Sequence, residues 1–336
     1  IVDEASLTDT RTLAELARQA DAAGARVLLV GDPAQHGAVG AGGAFGLLAR
    51  HTRHAELAGL HRYTHTWEAQ ATLRLRNGDP AALHDYITHH RMHAAPTGTH
   101  PGAERDHILD AAVAAWAADH AAGKHALLLA ADTTTATDLN ARARTTRVAA
   151  GQVSAQGLPL RDGTTAGIGD LIRTRHNTRA LTDTAGHWIR NGDPLHVATL
   201  LPDGSLIARR TTPPPDGREP AAVHLPAPYV AEHVDLGYAL TTHRAQSLTT
   251  DTAHLVLTPG ATREALYVGM TRGRATNHTY VATDTNDLAE AITILETAMA
   301  IDRGDIPATA HRRALASIPR PTITPRAEVP DLSLIH

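Results

Sequence analysis

Apolar positions follow two rhythms along this chain. Short continuous runs, Arg26 to Val30 (RVLLV) and His125 to Ala130 (HALLLA), have the density of strands buried on both faces of a parallel sheet, and Ile1-Val2 reads as the end of another. Between the runs, apolar residues recur every three or four positions. Leu7 to Ala23 carries Leu13, Leu16, Ala17 and Ala20 and is closed by Gly24 as a C-cap. Thr66 to Arg76 and Pro80 to His90 are amphipathic, Ile108 to Ala121 sets Ile108, Leu109, Val113 and Trp116 on one face, and Thr133 to Ala149 is a further helix. A strand, a helix and a strand within about thirty residues form one crossover unit whose strand ends lie side by side.

The rhythm changes between Gly151 and Val230. Turn signals at Asp162-Gly163, Asn191-Gly192, Asp203-Gly204 and Asp216-Gly217 separate short alternating stretches, Asp170 to Arg175, His196 to Leu201 and Ser205 to Arg210. This spacing predicts a small all-β barrel, with Asp203-Gly204 as a type I′ hairpin turn. Past Val230 the α/β pattern returns, with strands over Ala253 to Leu257 and His278 to Ala282 and a helix over Asp287 to Met299. Pro319, Pro321, Pro325 and Pro330 mark a linker. The expected division is 1–55 as part of a first doubly wound domain, 56–150 with 232–300 as a second, 151–231 as a β-barrel insertion, and 301–336 as a tail. The start at Ile1 without methionine, and the terminal LSLIH of Leu332 to His336, which reads like translated adaptor sequence, are expected of a gene fragment.

Composition narrows the class. The hydrophobic share of 42% is that of a globular protein, and 35 acidic against 31 basic residues give a net charge of -4. A basic overall surface is excluded, although a local arginine-lined groove is not. The absence of cysteine removes disulfides and thiolate metal sites and agrees with a cytoplasmic setting. No apolar run is long enough to span a bilayer, so membrane insertion is not expected. Of the 31 basic residues Lys124 is the single lysine, which leaves 30 arginines beside 23 histidines, a coding bias more than a design. His89, His90 and His93 have a spacing that suits a metal, but no second ligand set accompanies them.

Four stretches carry candidate chemistry. IVDEAS (1–6) delivers adjacent carboxylates, Asp3 and Glu4, at a strand end, where one can hold Mg²⁺ and the other activate water; taken alone, the pair also fits a solvated strand end. VLLVGDPAQ (27–35) ends in Gly31, Asp32 and Gln35, which by themselves make an ordinary turn. The crossover sets both stretches at one edge. THRAQSLTTD (242–251) follows an apolar run, and LYVGMTRGR (266–274) supplies Arg272 and Arg274, suited to negative charge building up on a transferring phosphoryl group.

In order and spacing these stretches resemble motifs II, III, V and VI of superfamily 1 helicases. With AVGAGGAFGLL (38–48) and LHRYTHTWEAQATLRLRNGDPAALHDY (60–86), the chain is most similar to the RecD-like, superfamily 1B branch, and within it to the helicase half of actinobacterial conjugative relaxases of the TrwC/TraI (MobF) type. The likeness spans nearly all of residues 1–300. It implies two RecA-like domains, the first incomplete, an SH3-like insertion, and an ATP-dependent motor moving 5′ to 3′ on single-stranded DNA, in contact with the coupling machinery of type IV secretion.

Residue by residue, the resemblance implies that Glu4, Arg62 and Arg272 act in catalysis. Asp3, Gly31, Asp32, Gln35, Gln246 and Arg274 would bind ATP, with Asp3 on Mg²⁺, and Thr241, Thr242, His243 and Arg244 would contact DNA. Two departures are visible. The phosphate-loop pattern G-x-x-x-x-G-K-[ST] does not occur, and Lys124 precedes a strand instead of a helix, so the fragment alone is expected to be inactive. Ser247 stands where the family usually has glycine; if that glycine is needed for a positive φ, serine costs about 1 kcal/mol. A stand-alone RecD-like repair helicase and a non-catalytic DNA-binding module are the competing readings.

Overall fold

The computed structural model describes residues 1–57, 62–94, 103–214, 217–283 and 288–301, with the side chains of 103 and 104 excepted. Leu60 and His61, Asp216, Asp287 and the proline-rich tail, all assigned above from sequence, lie outside the described residues.

The first 57 residues hold helices α1 (Thr10–Ala22) and α2 (Ala44–His51). Asp9 starts α1 by accepting from the Thr12 amide, and Gly24 follows its end at φ 61°. Of the apolar stripe on α1 only Leu13 is buried. The expected buried strand at Arg26 to Val30 is corrected: it makes one parallel bridge, Leu29 to Val2, and Val27, Leu28 and Val30 are 40%, 57% and 43% exposed. Such a run is buried only where strands flank it and helices cover it. Among the described residues its only strand partner is Val2.

Next come α3 (Thr66–Arg76), α4 (Ala81–Thr88), β1 (Met92–Ala94), α5 (Ala103–Ala121), β2 (Ala126–Ala130) and α6 (Thr133–Ala149). Short strands follow: β3 (Leu158–Pro159), β4 (Thr165–Ala166), β5 (Leu171–Thr174), β6 (Thr178–Thr182), β7 (Trp188–Ile189), β8 (Pro194–Leu200), β9 (Leu206–Arg210) and β10 (Ala222–Leu225). The described part ends with α7 (Ala227–His233), β11 (Val234–Leu236), β12 (Ala239–Thr241), α8 (Thr242–Ala245), β13 (Thr250–Leu257), α9 (Arg263–Gly269), β14 (Gly273–Val281) and α10 (Leu288–Ala300).

Strands β1, β14, β13, β2 and β12 form, in that order, an all-parallel sheet. Neighbouring residues on one strand point to opposite faces. Leu128, Val256 and Tyr280 join Ile108, Val113 and Trp116 of α5 in one core, whereas Leu129, Leu255 and Val281 join Leu75, Tyr86, Leu266 and Leu295 in the other. The sheet is thus covered on both faces, as its continuous apolar runs predict. No helix of the described residues is long and apolar enough to cross a membrane.

The α5 face also buries imidazoles. Arg91 Nη1 lies 3.2 Å from His278 Nε2, and His278 Nδ1 lies 3.0 Å from His93 Nε2. Because arginine only donates, His278 accepts at Nε2 and donates through Nδ1 to His93. His254 donates to Asp119 at 2.9 Å and accepts from the Tyr280 hydroxyl at 3.2 Å. The bonds fit neutral rings, and the histidine set at 89, 90 and 93 is divided: His89 stacks on Trp67 while His93 stacks on His278.

The second sheet has the order β10, β9, β8, β5, β11 and is antiparallel throughout. Two features differ from the expectation. Helix α7 and strand β11 carry this region past residue 230, so its last strand runs through Gly237 and Tyr238 into β12 of the parallel sheet. The turn at Asp203-Gly204 is not type I′, since Gly204 has φ 82° and Asp203 is not among the positive-φ residues. The Gly204 amide bonds Leu201 O and the Leu201 amide bonds Ser205 O. Pro202, its φ fixed near −65°, suits a type I turn, and Gly204 takes the left-handed position that closes a longer loop. The same pair of bonds closes 160–164 and 183–187. Asp170, fully buried, accepts from Arg144 at 2.8 Å, the Tyr238 hydroxyl at 2.6 Å and the Gly167 amide at 2.6 Å, which locks the antiparallel sheet onto α6.

The buried imidazoles set a pH dependence. Burial, then His254, Arg91 and His93, push the His278 pKa from 6.5 down to about 3. Below pH 6.5 the unfolded chain therefore takes up a proton that the folded chain refuses, and stability present above that pH is lost as pH falls toward 3. For His278 alone the loss between pH 7 and pH 5 is about 2 kcal/mol. Urea unfolding at the two pH values should show it, and His278→Phe should remove that share.

Candidate functional site

The N-terminal segment meets the parallel sheet at the carboxyl ends of β2, β12 and β13, the edge where open α/β sheets bind ligands. Strand β12 ends at Thr241, whose hydroxyl caps α8 by accepting from the Arg244 amide. The chain then reverses into β13 through Ser247 at φ 70°, the left-handed conformation that glycine adopts freely. This turn brings Gln246, 4% exposed, across to the start of the chain. Its Nε2 donates to Glu4 Oε2 at 3.0 Å and to Ser6 Oγ at 3.3 Å, and its Oε1 is buried without a partner.

Glu4 has φ 49° and ψ 42°, a region a non-glycine residue rarely occupies. Its amide donates to Asp3 Oδ1 at 2.9 Å, while Asp3 itself is exposed. Arg272, two residues beyond the α9 C-cap Met270, is 1% exposed. It donates from Nε to Val268 O at 2.9 Å, from Nη1 to Leu248 O at 3.3 Å and from Nη2 to Thr271 Oγ1 at 2.7 Å, which uses three of the five N–H groups of a guanidinium. Arg62 donates to Thr271 O. Burial and the neighbouring Arg62 lower the Arg272 pKa to about 10, against the opposing influence of Tyr63 and Glu4. Arg272 stays protonated at neutral pH, its charge acting on both Arg62 and Glu4.

Beside this cluster Gly31 approaches closely: a Cβ there would lie 3.1 Å from Ala5 N and 3.3 Å from the Phe45 ring. Asp32 accepts from the Ala34 amide at 3.0 Å, Arg76 Nε at 3.2 Å and the Tyr267 hydroxyl at 2.8 Å. Burial, with Asp32 next to it, raises the Tyr267 pKa, so the phenol remains a donor. Gln35 keeps its Oε1 buried and without a partner. His36 Nε2 lies 2.9 Å from Thr242 Oγ1, and its ring stands 5.2 Å from that of His243. Burial, His243 and Arg272 push His36 down to about 4, so it is neutral at pH 7. His36 and His243 form one wall of a cleft of about 530 Å³ whose other side is Asp132, Thr258 and Thr262, a volume in the range of small-ligand sites.

Of the residues singled out from sequence, Glu4, Arg62, Gln246 and Arg272 come together; Gly31, Asp32 and Gln35 stand alongside; Thr242 is bonded to His36, and His243 lines the cleft. Thr241 is a helix cap, and Arg244 turns toward Asp235 on β11. Arg274, expected to bind ATP, sits exposed in β14, its carbonyl accepting from Thr64 N. Sequence reading missed Ser6, His36, Arg76, Asp132 and Tyr267. Tyr267 lies inside the LYVGMTRGR stretch and His36 directly follows Gln35, so both could have been flagged; Arg76 carried no signal. No group of three metal-ligating side chains occurs among the described residues.

Residues 1–97 match the family model described as an AAA domain. The conjugal transfer protein TraA of Rhizobium radiobacter is 28% identical over 292 residues, covering 84% of this chain and 24% of that protein. TraA of Agrobacterium fabrum is 27% identical over 285 residues, covering 82% and 24%. The chain therefore spans about a quarter of the length of the curated relatives it matches. The crystal structure of a Pif1 helicase from Bacteroides in complex with ADP-AlF3 and ssDNA superposes with a TM-score of 0.50 at 15% identity, covering 94% of this chain and 75% of that one. The chain shares the fold of that Pif1 helicase and is similar in sequence to the TraA conjugal transfer proteins.

The left-handed Ser247 yields a direct prediction. Ser247→Gly should raise the unfolding free energy by about 1 kcal/mol, because glycine adopts this conformation without a Cβ penalty. Chemical denaturation checks it, and an unchanged midpoint would mean that the turn relaxes around serine.

Proposed function

We propose that this chain, with its helicase fold and conjugal transfer relatives, is part of an ATP-driven motor that moves 5′ to 3′ on single-stranded DNA within a conjugative relaxase-helicase. The observation that carries the reading is the meeting of Glu4, Gln246, Arg62 and Arg272, drawn from the two ends of the chain, at one junction. In this reading residues 1–55 belong to the first RecA-like domain, 56–150 with 232–300 form the second, 151–231 are an SH3-like insertion, and 301–336 are a tail. The motor works in the cytoplasm and docks on type IV secretion coupling proteins.

The side chains fit the terminal phosphates of a nucleotide. Arg62 and Arg272 supply positive charge near Glu4, and the buried, unpartnered Oε1 atoms of Gln35 and Gln246 can each accept from a bound water. Bound ATP with Mg²⁺ supplies the phosphoanhydride that is cleaved. Asp3, exposed and acidic, would hold the metal; Glu4 would accept a proton from the attacking water; Arg62 and Arg272 would stabilise charge at the transferring phosphoryl group; and Gln246 ties Glu4 to α8, next to Thr242 and His243, which would contact DNA. Asp32 joins Tyr267 and Arg76, so its part is to align the two sides of the junction. The 336 residues contain no G-x-x-x-x-G-K-[ST] pattern, and Lys124 is paired with Asp119. We infer that they do not hydrolyse ATP alone.

The test uses the full-length protein from which the chain comes. DNA-stimulated ATP hydrolysis should fall about 10²-fold or more in Glu4→Gln and about 10³-fold or more in Arg272→Ala. Arg272 is buried, so its variant is first checked for folding by circular dichroism; Glu4→Gln needs no such control. Wild-type rates in both would eliminate the motor reading.

A further inference from the structure

At the seam between the two sheets, the guanidinium groups of Arg161, Arg175 and Arg244 stand against the carboxylate of Asp235, and Arg173 lies beside them with its Nη1 donating to Gly192 O at 2.9 Å. Arg173 lies on β5 and Arg175 directly follows its end, and β11 sets Asp235 opposite Arg173. Arg161 donates to Asp235 Oδ1 at 2.9 Å. Arg175 Nε stands 3.1 Å from Asp235 Oδ2, and Arg244 Nη1 stands 3.7 Å from the same oxygen. Gly237 makes room for the fourth cation, since a Cβ there would lie 3.0 Å from Arg173 Cγ.

At two other arginines the ratio runs the other way. Arg142 is paired with Asp106, Asp110 and Asp138, and Arg210 with Asp183 and Asp193. At the seam one carboxylate meets three guanidinium groups, with Arg173 next to them. Nor are the donors used up: Arg173 Nε is buried without a partner, and Arg175 Nε, although near Asp235, has no hydrogen bond of proper geometry. Burial and the other arginines lower the Arg244 pKa to about 10. A buried N–H without an acceptor and cations crowded together both raise the free energy of the folded chain. An anion with several oxygens would relieve both at once, and planar guanidinium forks match a phosphate. The seam is open to solvent, with the Arg161 side chain 44% and that of Arg244 30% exposed.

We propose that this seam is a phosphate-binding site, formed by Arg161, Arg173, Arg175 and Arg244, and that the phosphate it takes is a backbone phosphodiester of a single strand. The second half rests on the helicase reading, because Arg244 directly follows His243, which lines the cleft. Asp235 then acts as the spacer that keeps Arg161, Arg175 and Arg244 apart when no phosphate is bound.

The experiment compares the full 336-residue chain with Arg161→Gln and Arg175→Gln. Binding of a fluorescent oligothymidine is followed by anisotropy across a salt series, and thermal unfolding is measured in inorganic phosphate against chloride at equal ionic strength. The expected result is weaker oligothymidine binding in each variant, a log K against log salt slope shallower by about 0.7 per lost contact, and a smaller upward shift in Tm with phosphate. Asp235→Asn separates this role from a merely structural one: a phosphate site gains affinity when the carboxylate is neutralised, whereas arginines that only serve Asp235 do not. If wild type is stabilised by phosphate through these arginines but binds no oligothymidine, the site stands with a free phosphate as its ligand and the helicase reading fails. If oligothymidine binds with unchanged affinity and slope in both variants and phosphate gives no shift, the inference is overturned while the helicase reading stands.

Discussion

Hydrogen bonds between polar side chains hold the first 57 residues against the parallel sheet. Asp32 reaches Tyr267 and Arg76, Glu4 reaches Gln246, and His36 reaches Thr242. Each such bond contributes about 1 kcal/mol net, because water competes for the same groups. Their value lies in direction: a carboxylate, an amide and an imidazole meet only in one relative placement of the two parts. The apolar cores, by contrast, sit on the two faces of the parallel sheet and leave the junction to chemistry.

Strained backbone and unmet polar atoms occur together at this junction. Glu4 and Ser247 hold left-handed backbone angles on the two sides of the Gln246 contact, and Gln35, His243 and Gln246 each keep a buried atom without a partner. Elsewhere buried polar groups are bonded only in part: Asn277 bonds Glu68 Oε1 and Asp170 binds Arg144 and Tyr238, while Glu68 Oε2 and Thr252 Oγ1 have no partner. Unsatisfied groups next to strained backbone are what a site for a ligand looks like before the ligand arrives.

Much of the central sheet could be read from the pattern alone. The run at 126–130 is a strand and Thr133 to Ala149 a helix, since both are decided by period and by local caps such as Asp132. The run at 26–30 has the same composition yet is largely exposed, because burial depends on neighbours that a run of letters does not contain. Turn type failed at Asp203-Gly204 because Pro202, one residue earlier, selects the alternative. At the junction, Glu4, Gln246 and Arg272 were legible through their motifs. Tyr267 and His36 adjoin motif residues but were not singled out, and Arg76 carried no signal, because its role arises only when segments more than 40 residues apart meet. Glu68 is the plainest miss, a carboxyl on an apparently amphipathic helix that is fully buried against Asn277.

Only Gly237 and Tyr238 separate the last strand of the antiparallel sheet from β12, which ends at the turn holding Gln246. Asp170 grips Tyr238 from the side, and Asn140 Oδ1 accepts from the Ala239 amide at 2.9 Å. A tug on the antiparallel sheet along this strand therefore travels through covalent backbone, without slack, to the helix beside Glu4. The two sheets behave as a single drawbar, so whatever displaces one is felt at the carboxylate across the junction.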